Sequence, residues 1–395
     1  MEKRPLRILP VIIFSQFTGT SLWFSGNAVL GDLQAQWNLA DAALGYMTSA
    51  IQAGFITGTL VFAFFAIADQ FSPRKIFLIC SVVGAIANAC IYLIAEGLSS
   101  LMLFRFITGF FLAGIYPVGM KIAAGWYQKE LGKAIGWLVG ALVLGTAFPH
   151  LLKGLGQSLP WATVIVSVSG AAAVGGVLMF YLVPDGPFLS KGTAFNPKAF
   201  KVIFGSKNFR SSAFGYFGHM WELYTLWAFT PVLLAAHVAF TRNASLNIPI
   251  WAFLIIAAGG VGCVVGGLLS IRIGSARVAF AQLGASGACC VLSPVVFLAP
   301  TPVFLTFMLF WGITVVGDSP QFSALNALTA PRELVGSALT IVNCIGFSIT
   351  IVSIEFINSL SSTIDVRYLY LPLAVGPVFG LIALAPLIRE TPRID

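Results

Sequence analysis

Seven ionisable side chains stand inside otherwise apolar stretches of this sequence: Arg105, Lys121, His150, His219, Glu222, Asp318 and Glu355. A charge in hydrocarbon costs at least about 2.5 kcal/mol on insertion scales, so each needs a role or an exit to water. Asp318, in WGITVVGDSPQFSAL, lies about 16 residues from the outer end of its stretch, too deep to reach that surface. Pro320 removes a backbone donor beside it, and Ser319, Gln321 and Ser323 add polar groups, a pattern that suits a kinked helix lining a wet cavity. A carboxylate shielded there holds a proton and releases it when water returns. A neutral acid hydrogen-bonded between helices is the alternative.

His219 and Glu222, in YFGHMWELYTLW, are three residues apart and so share a helical face, within reach of a mutual hydrogen bond or charge pair. Gln16, Thr20, Trp23 and Asn27 form a second polar stripe at helical spacing, and about 204 residues later it falls on Met220, Tyr224, Trp227 and Pro231. With equivalent faces turned inward, Tyr224 and Trp227 line the cavity, while Glu222, about 160° from Met220, points sideways. The His219 and Glu222 pair then stitches its helix to a neighbour and couples protonation to movement, or else binds ligand directly. Arg105 lies about 8 Å from the outer end of its span and can snorkel. Lys121, near an inner end, either draws an anion or reaches the headgroups. Glu355 reaches water near an outer end, and His150 with Lys153 closes a span beside Pro149, a surface position. Ligand contacts are expected from Gln16, Trp23, Asn27, Tyr224, Trp227 and Gln321, whose rings and amides give shape and hydrogen bonds at low charge cost, together with Lys121.

The elements that must position these residues follow from composition. The 395 residues are 58% hydrophobic and 9% charged, against about 25% charged in soluble domains, with a mean hydropathy of +0.93. Twelve apolar stretches of about 20 residues recur, at 8–31, 43–67, 76–95, 100–124, 132–153, 161–183, 211–236, 248–271, 277–299, 302–326, 334–358 and 367–388. They are continuous and too long for barrel strands. The fold class is therefore an all-α integral membrane protein of twelve transmembrane helices.

The net charge of +8 is not a nucleic-acid patch. Seventeen of the 22 basic residues fall on one side: Lys3, Arg4, Arg7, Arg74, Lys75, Lys129, Lys133, Lys191, Lys198, Lys201, Lys207, Arg210, Arg272, Arg277, Arg332, Arg389 and Arg393. The other side holds Lys153, Arg242 and Arg367. The positive-inside rule places both termini in the cytoplasm, so the expected location is the plasma (inner) membrane. The opening MEKRPLR precedes a run too long for a typical signal peptide and is read as an uncleaved first helix. The six cysteines lack metal or CxxC spacing and read as packing residues.

The long interruption 184–210, basic and cytoplasmic, separates a bundle at 1–183 from a second at 211–395. Asn196 caps a short helix opened by Pro197, which lies on the inner leaflet or forms part of a solvated linker. The halves read as six-helix pseudo-repeats. Gly54 and Gly58 map to Ala258 and Gly262, Pro117 to Pro320, Trp23 to Trp227, and KELGKA at 129–134 to RELVGSA at 332–338.

Between the second and third spans FAIADQFSPRKIFL, and between the eighth and ninth GGLLSIRIGSARVAF, resemble the loop motif G-x-x-x-D-R-x-G-x-R-R of major facilitator superfamily transporters. Asp69, Arg74 and Lys75 meet it in the first copy, where Phe65, Gln70 and Ser72 replace its Gly, Arg and Gly. Gly267, Arg272, Gly274 and Arg277 meet it in the second, where Ile271 replaces the acid. The resemblance implies two bundles rocking around a central cavity by alternating access, with Asp69, Arg74, Lys75, Arg272 and Arg277 as a cytoplasmic gate. RFITGFFLAG, from Arg105, is similar to the R-x-x-x-G motif of proton-coupled members, which ties Arg105 to proton transfer along with Asp318, Glu222 and His219.

The expected function is secondary active transport of a small solute, driven by protons, leaning to a small organic anion. The rivals are proton-driven efflux of aromatic or lipophilic compounds, suggested by 34 Phe and 9 Trp, and a membrane ligand sensor without transport. No HExxH, GxSxG or phosphate loop occurs, so no enzyme, metal or cofactor is expected. The expected partners are a small-molecule substrate, protons and the lipid bilayer, with no nucleic acid, and the expected state is a monomer.

Overall fold

A computed structural model describes residues 5–127, 131–156, 159–189, 196, 199–242 and 245–390, with backbone alone at 131–133, 389 and 390. The membrane-length elements are α1 (Ile8–Thr20), α2 (Ala43–Phe64), α3 (Pro73–Leu93), α4 (Leu98–Leu112, then Tyr116–Trp126), α5 (Leu131–Leu155) and α6 (Trp161–Leu182). They continue as α7 (Lys207–Thr241), α8 (Ile248–Ile273), α9 (Ser275–Val296), α10 (Thr301–Gly317, then Ser319–Thr329), α11 (Val335–Leu360) and α12 (Val375–Glu390). No strand occurs among the described residues. Among the described residues eleven stretches are long and apolar enough to cross a membrane, and α1 is a shorter apolar helix.

The chain divides into two compact units, Met1–Phe195 and Asn196–Asp395. In the first, α2 packs on α4, α3 on α6, and α1 on α5 and α6; in the second, α8 packs on α10, α9 on α12, and α7 on α11 and α12. These are the same pairings shifted by half the chain, as expected of repeats. Small residues make the closest ones possible. A Cβ at Gly109 of α4 would stand 2.1 Å from the Ile51 carbonyl oxygen of α2, and one at Gly312 of α10 would stand 2.0 Å from that of Ile255 of α8. Gly58 and Gly262 face backbone oxygens on the same two seams.

Of the interval 184–210, Pro184 accepts a hydrogen bond from the Trp126 indole at 2.9 Å and belongs to the first unit. A short helix, Ala199–Gly205, packs on α7 and α11 in the second. The amide of Asn196 donates to Ser337 Oγ at 3.0 Å. Pro197, most of the surrounding linker, Lys129 and Asn243 lie outside the described residues.

Three interruptions matter for the site. α4 pauses at Ala113–Ile115 ahead of Pro117, and α10 pauses at Asp318 ahead of Pro320. Proline cannot donate to the carbonyl four residues back. In α10 the carbonyl four residues before Pro320, that of Val316, accepts from the Asp318 amide and from Cys263 Sγ at 3.4 Å. The third interruption corrects an expectation: the span 8–31 is not one helix. α1 ends at Thr20, residues 21–24 turn, and helices Ser25–Ala28 and Leu30–Trp37 follow. No proline causes this. The Ser21 hydroxyl bonds back to the Thr18 carbonyl, and Arg105 takes up the Leu22 and Trp23 carbonyls that the turn releases.

Candidate functional site

In the second unit the chemistry gathers at the pause in α10. Asp318 is wholly buried there, and His219 Nδ1 of α7 lies 2.9 Å from its Oδ1. Asp318 Oδ2 and His219 Nε2 are buried without a hydrogen-bond partner among the described residues. The imidazole is held between rings, its centroid 5.8 Å from that of Phe322 and 6.0 Å from that of Tyr216. Such a pair can hold or exchange a proton, since one carboxylate oxygen and one ring nitrogen remain open.

His219 and Glu222 share a helix but do not pair with each other, which corrects the pairing read from their spacing. Glu222 Oε1 accepts from Trp311 Nε1 of α10 at 2.7 Å, from Cys290 Sγ of α9 at 3.3 Å and from Ser286 Oγ of α9. One carboxylate thus ties α7 to α9 and α10, and its sideways direction agrees with the angular argument. Trp311 and Ser286 were not singled out by sequence. Trp311 stands seven residues before Asp318, two helical turns away on the same face, which is the signal that was there to read. Gln282 of α9 is a further missed neighbour of the pause: a Cβ on Gly317 would meet its Oε1 at 1.9 Å.

The ring residues of this unit lie together. Tyr224 and Trp227 are buried with centroids 5.4 Å apart, and Phe347 of α11 is 5.2 Å from Tyr224. Gln321 is buried in the first turn after the pause.

In the first unit Gln16, Trp23 and Asn27 are all buried. The Gln16 amide lies against Gly119 of α4, where a Cβ would meet its Oε1 at 2.0 Å. Neither amide atom of Gln16 has a hydrogen-bond partner among the described residues, and the same holds for Gln52 of α2, also wholly buried. Asn27 Nδ2 donates to Thr48 Oγ1 at 2.8 Å, and Trp23 packs on Phe55 with centroids 4.9 Å apart.

Arg105 does not snorkel; its side chain is wholly buried. Its Nη1 donates to the Leu22 carbonyl at 2.9 Å and to Ser25 Oγ at 3.1 Å, and its Nη2 to the Trp23 carbonyl. Lys121 neither stands free to draw an anion nor reaches out alone. Its ammonium pairs with Asp69 and donates to the Ala68 carbonyl at 2.6 Å. His150 is buried rather than at a surface, and Lys153 pairs with Asp32 at 2.7 Å.

Of the other motif residues, Arg74 lies 3.8 Å from Asp185 and over the Phe180 ring. Ser72, at the start of α3, donates to the same carboxylate at 2.7 Å. Asp185 was passed over because it sits in PDGP after α6, where it reads as a turn residue. Lys75 and Arg272 are exposed, with no carboxylate partner among the described residues. Arg277 Nη1 donates to the Ile273 carbonyl at 3.4 Å, at the end of α8.

Comparison with known proteins bears on family and fold. The sequence profile of the Major Facilitator Superfamily matches residues 11–354. A Haemophilus influenzae protein named as a metabolite transport protein is 25% identical over 346 residues, covering 80% of each chain. The D-galactonate transporter of Escherichia coli is 26% identical over 162 residues, 40% of this chain and 37% of its own. Among solved structures, a proton:xylose symporter superposes with a TM-score of 0.72 at 14% identity, covering 98% of this chain and 96% of that one, a likeness of fold.

Proposed function

This chain belongs to the major facilitator superfamily, an integral multi-pass membrane transport protein and not an enzyme, and from that premise we propose that it couples proton movement to the transport of a small organic anion. The observation that carries the reading is Asp318: a buried carboxylate at the pause of α10, 2.9 Å from His219, with one oxygen unpartnered. Taking up a proton there removes a buried charge at the joint between two helical pieces, the place where a local change of charge most readily changes an angle. Glu222, three residues from His219 on α7, ties that helix to α9 through Ser286 and Cys290.

The anion reading is supported by the name of the galactonate relative. Lys121 and Arg105 are engaged by protein groups, so recognition is assigned to amides and rings. Gln16 and Gln52 in the first unit offer unpartnered donors and acceptors, as the hydroxyl and carboxylate groups of a sugar acid require. Trp23 and Asn27 beside them, and Tyr224, Trp227 and Gln321 in the second unit, supply shape and further hydrogen bonds. Asp69 with Lys121, and Arg74 with Asp185 and Ser72, make the first-unit part of a cytoplasmic gate, to which Arg272 and Arg277 add charge. The one-sided basic residues support a reading with both termini in the cytoplasm of a plasma membrane, and a monomer is proposed as the working unit.

The test is flux in proteoliposomes carrying a lumenal pH dye, with D-galactonate, other sugar acids, monocarboxylates, neutral sugars and lipophilic cations offered across an imposed pH gradient. An acid that accumulates above equilibrium with matching proton movement supports the reading. Accumulation indifferent to the gradient would remove proton coupling, movement of lipophilic cations alone would turn the assignment to efflux, and binding without flux would make the protein a sensor.

A further inference from the structure

Arg105 stands where helix 1 breaks, and the repeat shows what happens without it. Its counterpart about 203 residues later is Met308, also wholly buried, and α7, the counterpart of α1, runs unbroken through residues 225–228. We infer that Arg105 is a positioning residue that keeps helix 1 open at residues 21–24 and so sets the directions of Gln16, Trp23 and Asn27. The inference goes beyond the proton-coupled reading and does not depend on it.

The chemistry of the break requires such a group. A helix that stops leaves carbonyls without amide donors, and its C-terminal end carries about half a negative charge. Buried in hydrocarbon, those carbonyls must be met by donors. The turn meets some of this need itself: the Trp23 amide donates to Thr20 at 3.0 Å, and the Ala28 amide to Phe24 at 3.0 Å. Leu22 and Trp23 carbonyls are left pointing toward α4, and the planar fork of one guanidinium reaches both along with Ser25 Oγ. No carboxylate lies within ion-pair distance of Arg105 among the described residues, so its charge is met by backbone dipoles and this hydroxyl.

The clamp is anchored on its far side. Ser25 Oγ donates to Asn88 Oδ1 of α3 at 2.5 Å, and Asn88 Nδ2 donates to Ser169 Oγ of α6 at 3.0 Å. Gly26 leaves room for the guanidinium, since a Cβ there would stand 3.3 Å from Arg105 Nε and 2.9 Å from Met47 Sδ. Four helical segments therefore meet at one neutral polar chain that ends in a single cation. A lysine would keep the charge, but its one nitrogen cannot replace two nitrogens spread over three acceptors.

Hydrogen exchange on the purified full chain tests this without any ligand. Arg105→Met and Arg105→Lys are both expected to speed exchange of the backbone amides of residues 22–28 by about tenfold or more. Asp318→Asn is expected to leave those amides protected as in the wild type. After correction for intrinsic rates, wild-type protection of this segment is expected to match at about pH 6 and about pH 8, because a guanidinium stays charged throughout. Wild-type protection in Arg105→Lys would overturn the inference by showing that charge alone suffices. Protection that follows pH or Asp318→Asn would overturn it by placing Arg105 in the proton path. Should both Arg105 variants fail to fold, Ser25→Ala removes one acceptor, and a smaller acceleration confined to residues 22–28 is expected; unchanged exchange there would contradict the clamp.

Discussion

Two buried carboxylates, Glu222 on α7 and Asp318 at the pause of α10, have opposite surroundings. Glu222 collects three donors on one oxygen, whereas Asp318 has His219 alone and an oxygen with no donor. The first arrangement holds helices together and the second leaves room for a proton. Asp318→Asn is accordingly expected to abolish gradient-driven accumulation while sparing exchange of labelled for unlabelled cargo, measured in the same vesicles; retained accumulation would remove Asp318 from the coupling step. Trp311→Phe keeps the ring but removes the indole donor to Glu222, and a loss of about 1–3 kcal/mol in thermal unfolding is expected. The identities of Asp318, His219 and Glu222 were legible because an ionisable group in an apolar run is conspicuous by cost alone. The partners of Glu222 were not, since Ser286, Cys290 and Trp311 are ordinary residues whose significance depends on which face of which neighbour they meet.

At the scale of the helix, proline made two interruptions legible and left the third hidden. Pro117 and Pro320 mark the pauses in α4 and α10, but the break after Thr20 depends on a side chain about 80 residues downstream, which no local pattern records. The small-residue seams were legible from spacing and recur on both α2 with α4 and α8 with α10. Gly312→Ala would push a methyl carbon to 2.0 Å from the Ile255 oxygen, a backbone atom that cannot swing aside, and is expected to cost about 1–3 kcal/mol. Gly260→Ala in α8, with no atom within 4 Å of its Cβ, is expected to be neutral or to stabilise by up to about 1 kcal/mol. Equal effects of the two in a thermal unfolding series would contradict the seam as the cause.

For the whole molecule, two units share one packing plan and divide the chemistry. The first carries the buried Gln16 and Gln52 amides and an arginine spent on backbone; the second carries the wholly buried His219–Asp318 pair and Glu222. The repeat was legible from residues recurring about 203 positions apart, such as Pro117 and Pro320, and hydropathy made the spans legible, because lipid leaves few ways to satisfy a backbone. It could not say how the charges would be spent, and Lys121 shows the difference. Lys121→Gln is expected to slow transport several-fold without altering which cargo is preferred, by removing the Lys121–Asp69 ion pair from the proposed gate; a changed preference in competition assays would return Lys121 to cargo binding. The central claim, that Asp318 is the group that takes up the proton, is tested most directly by pH-difference infrared spectroscopy of the membrane-embedded protein. The account predicts a protonated-carboxyl stretching band that appears as pH falls and is lost in Asp318→Asn. A band that survives this substitution unchanged, or the lack of any titrating carboxyl band in the wild type, would contradict it.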